Sequence, residues 1–256
     1  MSGNVFASIR EDMQIIHNRI KNQLTIKAGH LGEYAHVEFS PMDNFIRPAV
    51  VLTAAGLYNC KSSKVISLGA IVQFIFMASQ IHKQIPETAV HPRQSDPRDG
   101  TQFPVLVGDY LYGKFFTTLC EAGLLQYLRP LAEIIGRIHE GGILQRKNLY
   151  RTEDNHQLVG DIIRLEVAEL MGGAARLAGD LAGAPEEDQK NLYEFGINLG
   201  MFLGFLQRNP LYIPSMKYID QALGVLERLP SHPEKAMLNH LVNALVLTEE
   251  GIRQVV

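Results

Sequence analysis

Apolar residues in this chain recur with the period of a helix almost from end to end, and no long stretch alternates strictly between apolar and polar. In its most apolar segment, ISLGAIVQFIFMASQI (66–81), Leu68, Ile71, Val72 and Ile75 stand at i, i+3, i+4 and i+7. A chain patterned this way must bury helix faces against other helices, so the fold class is all-α. The spacing predicts helices near 7–28, 44–59, 64–84, 104–120, 123–146, 155–182, 187–207, 215–228 and 233–250, and no strands. Some boundaries have a local cause. Ser231-His232-Pro233-Glu234 matches a capping box, in which Ser231 accepts from the amide three residues on and Glu234 reaches back. Pro185 followed by Glu186, Glu187 and Asp188 suits a helix start, because proline fits the first turn and acids favour the positive end of the dipole.

The whole chain, 1–256, reads as a single multi-helix domain, without linker composition, low-complexity runs or a repeat. Its one long irregular connection is PETAVHPRQSDPRDGTQFP (86–104), where four prolines and Gly100 deny the backbone a helix; a flexible loop is expected over about 86–103. With 46% hydrophobic and 20% charged residues the chain is not a disordered one. A net charge of −3 gives no basic footprint for nucleic acid. Cys60 and Cys120 form neither a CxxC pair nor a disulfide framework, which fits a reducing cytoplasm. The N-terminus, MSGNVFASIREDMQII, lacks the parts of a signal peptide. Segment 66–81 is interrupted by Ser67, Gln73, Ser79 and Gln80 and falls short of the ~20 apolar residues of a membrane span. It is expected to be a core helix of a cytoplasmic protein with no membrane span.

Two stripes of small residues bear on packing. Gly196, Gly200 and Gly204 lie at i, i+4 and i+8, and Ala168, Gly172, Ala175 and Gly179 follow similar spacing, so each set lines one helix face. A helical glycine costs about 1 kcal/mol relative to alanine, so several together have a compensating use. The simpler use is backbone-to-backbone packing; the other is room for a long chain ligand.

The usual catalytic patterns are missing. His36-x-Glu38 and His139-Glu140 lack the HExxH spacing of a zinc helix, and neither a GxSxG elbow nor a cysteine with a nearby histidine partner occurs. No GxxxxGK[ST] or GxGxxG phosphate loop follows a strand. Arg146-Lys147, with Arg151 nearby, reads as a solvated helix end.

Several segments, taken in order, resemble the trans-prenyl diphosphate synthase family. FIRPAVVLTAAG (45–56) is similar to the Lys-Arg-x-Arg-Pro entry of an early family helix and keeps Arg47-Pro48. VQFIFMASQIH (72–82) is similar to the helix that leads into the first aspartate motif, and VLVGDYLYGKFF (105–116) to a Gly-Asp-Tyr-Leu segment. EGGILQ (140–145), FGINLGMFLGFLQ (195–207) and YIDQALGVLERLPSHPEKAMLNHL (218–241) resemble later family segments. The resemblance implies an isoprenoid-synthase-type bundle whose members join isopentenyl and allylic diphosphates. It also implies two Asp-Asp-x-x-Asp motifs holding magnesium on the substrate diphosphate, because hard carboxylate oxygens at i and i+4 suit that ion.

At those places this chain reads IHKQIPE (81–87) and FLQRNPLY (205–212). The matching first-motif positions are Lys83, Gln84 and Glu87, and those of the second are Gln207, Arg208 and Leu211. Asn44 and Phe45 stand where the resemblance implies a diphosphate-binding Lys-Arg, Glu166-Val167 where it implies Lys-Thr, and Gly204 where it implies glutamine. Arg47, Arg93 and Gln145 are what remains of the diphosphate contacts. Arg47 and Arg93 suit either an anion or a structural carboxylate. Between 212 and 215 the chain passes almost directly into the closing helices, where active members carry further helices and a basic segment.

The resemblance therefore implies a non-catalytic subunit of a heterodimeric polyprenyl diphosphate synthase, with no metal and no cofactor in this chain. Magnesium belongs to the catalytic partner, and apolar surface from helices around 64–84 and 104–120 meets that partner and shapes the product cavity. A homodimer and an isoprenoid ligand stay open. The alternatives are a divergent active prenyltransferase using Glu87, Asp109 and Glu140, and a stand-alone carrier of a prenyl chain.

Overall fold

A computed structural model describes residues 6–27, 29–31, 33, 38–84, 102–148, 155–208 and 216–255, with side chains as far as Val246. The helices are α1 (Arg10–Leu24), α2 (Pro41–Gly56), α3 (Ser63–Lys83), α4 (Gln102–Glu121), α5 (Leu128–Lys147) and α6 (His156–Ile163). A π turn, Arg164–Ala168, joins α6 to α7 (Glu169–Leu181), and α8 (Glu186–Arg208), α9 (Met216–Arg228) and α10 (Pro233–Val255) complete the bundle. The all-α expectation holds. One correction concerns strands, which were not expected: Thr25–Ile26 (β1) and Gly29–His30 (β2) form a small antiparallel pair in the register Thr25 with His30. The β-branched pair Thr25-Ile26 ends α1 earlier than predicted, and Gly29 at φ 125° accommodates the reversal.

Helix α3 is the axis of the core. It touches α1, α2, α4, α5 and α7, and is buried on nearly every face from Ser67 to Ser79. A helix apolar all round has to lie inside. By length and hydropathy α3 would suffice to cross a membrane, contrary to the expectation from its polar interruptions. With 83% of its apolar window buried, it is a core helix of this bundle. Its start is fixed by Ser62, whose hydroxyl accepts from the Val65 amide at 3.3 Å, and its end carries the cation Lys83 at the negative pole.

Helix α2 begins earlier than periodicity suggested because Ser40-Pro41-Met42-Asp43 is a start signal. Ser40 Oγ accepts from the Asp43 amide at 3.0 Å and donates to Asp43 Oδ2 at 2.7 Å, with proline in the first turn. At α10 the expected capping box is displaced. His232, not Ser231, precedes the helix, and its Nδ1 accepts from the Glu234 amide at 3.4 Å. The predicted helix 155–182 is interrupted by the π turn, and 123–146 starts as a short 3-10 turn at Leu125–Tyr127 after Gly123, at φ 63°.

The stripes of small residues face one another. A Cβ on Gly196 would lie 2.5 Å from the Met171 carbonyl oxygen and 2.7 Å from the Gly172 Cα, and one on Gly200 2.6 Å from the Ala168 Cα. Backbone meets backbone here, so α8 packs on α7 and the π turn with no room for a ligand between them.

Candidate functional site

The ends of α3 and α8 meet at the π turn, and the meeting is electrostatic. Lys83 Nζ donates to Glu166 Oε2 at 2.7 Å, and Arg208 Nη2 donates to the same oxygen at 3.1 Å. The Glu166 side chain is 5% exposed, while Lys83 and Arg208 keep 39% and 26%. Glu166 is brought inward by the π turn, a distortion that often marks special sites. It is wedged close to α5, where a Cβ on Gly141 would fall 2.8 Å from Glu166 Cγ. Arg146 of α5 is exposed in the last turn, as expected, and there also donates to the Lys83 carbonyl at 3.3 Å, which caps α3. Gln207 Nε2 donates to Asp43 Oδ1 at 3.1 Å, which ties α8 to the start of α2.

The residues expected to touch diphosphate are distributed differently. Arg47 is buried on α2, with its guanidinium 3.4 Å from the Phe76 ring centroid, donating to the Asp43 carbonyl at 3.3 Å and lying 3.8 Å from Asp43 Oδ1. Burial lowers its pKa to about 10, against the opposing pull of Asp43. Gln145 lies near the end of α5 with a buried Oε1 that has no hydrogen-bond partner. Gln84 follows α3 as an exposed turn residue. Arg93, Glu87, Leu211, Arg151, residues 86–101 of the expected loop and the segment 212–215 lie outside the described residues, whereas positions 102 and 103, expected in that loop, already belong to α4. Asn44 and Phe45 have structural duties: the Asn44 carbonyl is bonded to His17 Nε2 at 3.1 Å, and Phe45 packs edge-on against Phe6 at 5.2 Å. Gly204 is pressed against the Ile163 side chain.

Two polar clusters escaped the sequence reading. Between α3, α4 and α5 the Tyr112 hydroxyl is shared by Ser79 Oγ at 3.0 Å and His139 Nε2 at 2.9 Å, and His82 Nε2 lies 3.3 Å from both the Val105 carbonyl and Asp109 Oδ1. Burial raises the Tyr112 pKa and lowers that of His139, the latter helped by the neighbouring His82. In the second cluster the buried Glu169 accepts from Arg137 Nη1 at 2.6 Å and Tyr193 Oη at 2.7 Å, with Arg164 Nε at 3.3 Å. It borders a cavity of about 560 Å³ whose walls include Glu133, Arg137, Arg176, Asp180 and Gln189. Tyr127, Pro130, Ile134 and Leu177 also line it, so an isoprenoid chain there would meet apolar surface but would have to desolvate the charged groups beside it.

Among the described residues, no group of three or more His, Cys, Asp and Glu side chains is placed to hold a metal ion. Lys83 and Arg208, at positions where the resemblance implies magnesium ligands, already share one buried carboxylate. Magnesium needs several hard oxygen donors, and these residues do not fit it.

The Polyprenyl synthetase family matches residues 30–203. The chain belongs to that family. It is 28% identical over 196 residues to an octaprenyl diphosphate synthase of Escherichia coli, covering 74% of this chain and 60% of the relative. It is 28% identical over 203 residues to heptaprenyl diphosphate synthase component 2 of Geobacillus stearothermophilus, covering 77% and 62%. The chain thus spans about 60% of the length of the curated relatives it matches. In fold it is similar to a polyprenyl synthase of Caulobacter crescentus crystallised with calcium and isoprenyl diphosphate, with a TM-score of 0.80 at 19% identity over 96% and 98% of the two chains. It is also similar to a geranyl diphosphate synthase small subunit of Antirrhinum majus, with a TM-score of 0.71 at 15% identity over 93% and 97%. The polyprenyl synthetase scaffold accordingly carries, in this chain, a cation–carboxylate–cation cluster where the ends of α3 and α8 meet the π turn.

Proposed function

We propose that this chain is a non-catalytic subunit of a heterodimeric polyprenyl diphosphate synthase, working in the cytoplasm beside a partner that supplies every magnesium ligand. The reading rests on one observation: Lys83 and Arg208, at the two motif positions, close on Glu166. Loss of a diphosphate leaving group needs a Lewis acid or equivalent charge to carry the developing negative charge. Two cations gathered on one buried carboxylate provide no set of oxygen ligands for such an ion, and their charge is already directed at the chain's own anion.

A partner-facing surface is available. On α4, Leu106 and Phe116 are exposed at 62% and 48%; on α5, Ile143 is exposed at 68%, and Leu125 and Leu128 beside its start are open to solvent too. Gly113 and Gly136, on the same two helices, have nothing within 4 Å of an added Cβ, which leaves room for a neighbouring helix. Large apolar side chains lying open along two adjacent helices suit an obligate interface. The expectation placed the interface on the segments 64–84 and 104–120. Because α3 is buried, the interface is proposed on α4 and α5. Relatives named as component 2 of a heptaprenyl synthase and as a small subunit of a geranyl diphosphate synthase lend support from their names.

The rival readings draw less support. Of the acids a divergent prenyltransferase would use, Asp109 is paired with His82. A stand-alone carrier needs an apolar chamber, and the cavity by Glu169 mixes apolar walls with several charged side chains. The experiment is reconstitution. The purified chain, given isopentenyl and allylic diphosphates with magnesium, yields no product. Co-expressed with an aspartate-motif homologue from the same genome, it co-purifies and changes that enzyme's rate or product length. Turnover by the isolated chain overturns the proposal, as does a complex with neither property altered.

A further inference from the structure

The helix ends that the resemblance makes metal-bearing are joined here by an anion that belongs to the chain itself. The usual order of charge is inverted: where two sets of carboxylates would surround cations and a diphosphate, two cations surround one carboxylate. The asymmetry of burial says which partner is fixed. Glu166 is 5% exposed and its Oε1 has no hydrogen-bond partner among the described residues, while Lys83 and Arg208 reach the carboxylate from a partly open surface. Two further groups hold the frame in place, Arg146 on the Lys83 carbonyl and Gln207 on Asp43. Guanidinium and ammonium groups converging on one oxygen form a geometry that also suits phosphate oxygens.

We propose that Glu166 is a resident anion, taking from within the chain the place of a diphosphate between the ends of α3 and α8, so that Lys83 and Arg208 are held together without metal and a latent, metal-independent diphosphate site is masked. The inference deepens the subunit reading and rests on the same motif positions. Its test needs no partner and no catalysis, so the two can fail separately.

Thermal melts and calorimetric titrations of the isolated chain carry the test, with magnesium chloride and sodium pyrophosphate added separately. The wild-type melting temperature stays unchanged by either. Glu166→Gln frees both cations, which can turn to water, so the variant folds. It binds pyrophosphate at about one site per chain without magnesium, and its melting temperature rises on the order of 5 °C at a hundredfold excess over Kd. The double variant Lys83→Gln/Arg208→Gln leaves a buried carboxylate unpaired and loses about 10 °C or fails to accumulate. Adding Glu166→Gln to that pair restores it, and this triple variant carries the test should Glu166→Gln alone not fold. A wild-type chain stabilised by magnesium or by pyrophosphate overturns the proposal. So does a folded Glu166→Gln that ignores pyrophosphate, or a triple variant no more stable than the double.

Discussion

Along most of its length α8 presents Gly196, Gly200 and Gly204 to its neighbours, the first two to the backbone of Met171–Gly172 and Ala168 and the third to Ile163. At its tip it presents Gln207 to Asp43 and Arg208 to Glu166. The first region keeps a family-like pattern and the second does not, although only a few residues separate them. Backbone-to-backbone packing leaves one acceptable side chain, whereas a charge cluster at a cleft tolerates inversion if every member changes sign together. A fold can thus persist after the chemistry at its mouth is replaced.

The steepest test of that contrast lies in the seam. Gly196→Ala should destabilise the protein by about 3 kcal/mol, because its Cβ meets main-chain atoms that cannot turn aside. Gly224 on α9 has nothing within 4 Å of an added Cβ, so Gly224→Ala should stabilise by up to about 1 kcal/mol through helix propensity alone. Denaturant midpoints measured side by side give the two signs. Equal effects would show that the seam is not the tight contact described.

The same contrast explains what could be read in the sequence. Helices showed through because the 3.6-residue period is local, and the glycine stripes because their spacing is visible within one helix. The start of α2 was available in Ser40-Pro41-Met42-Asp43 and was passed over for the apolar run that follows it. Asp43 and Arg47, four apart, offered a local clue to the pairing of Arg47, but burial against Phe76 has no local signature. The π turn had none either: Arg164-Leu165-Glu166-Val167-Ala168 contains no proline or glycine, and its conformation depends on what surrounds it. Glu166 registered as a missing cation. Its positive role needs Lys83, 83 residues away, and Arg208, 42 residues away, and only the tertiary fold brings them together.

A gentler test asks whether the open faces of α4 and α5 serve assembly and not folding. Leu106→Asp with Ile143→Asp should change stability by no more than about 0.5 kcal/mol, since both side chains are largely exposed in the isolated chain. Retention by a tagged catalytic partner should fall at least tenfold, about 1.4 kcal/mol or more at the centre of an apolar interface. Loss of folding without the partner would mean that these side chains belong to the core. Full retention would move the interface elsewhere.

The smallest effect concerns pH at the cluster between α3, α4 and α5. Burial, with His82 nearby, holds the His139 pKa below its ordinary value, so the folded chain keeps this imidazole neutral where the unfolded chain has begun to protonate it. The unfolded state then binds more protons, and stability must rise with pH across the interval below about 6.5. His139 Nε2 is also hydrogen-bonded to the Tyr112 hydroxyl, so Phe at this position would confuse lost titration with a lost hydrogen bond. Gln keeps a polar partner for Tyr112 and cannot titrate. His139→Gln should therefore flatten the dependence of the denaturation midpoint on pH between about 5 and 6.5 while changing stability little at pH 8, where the wild-type histidine is neutral in both states. An unaltered slope would show that the acid sensitivity does not come from His139, and an equal loss at both pH values would reduce His139 to a hydrogen-bonding prop.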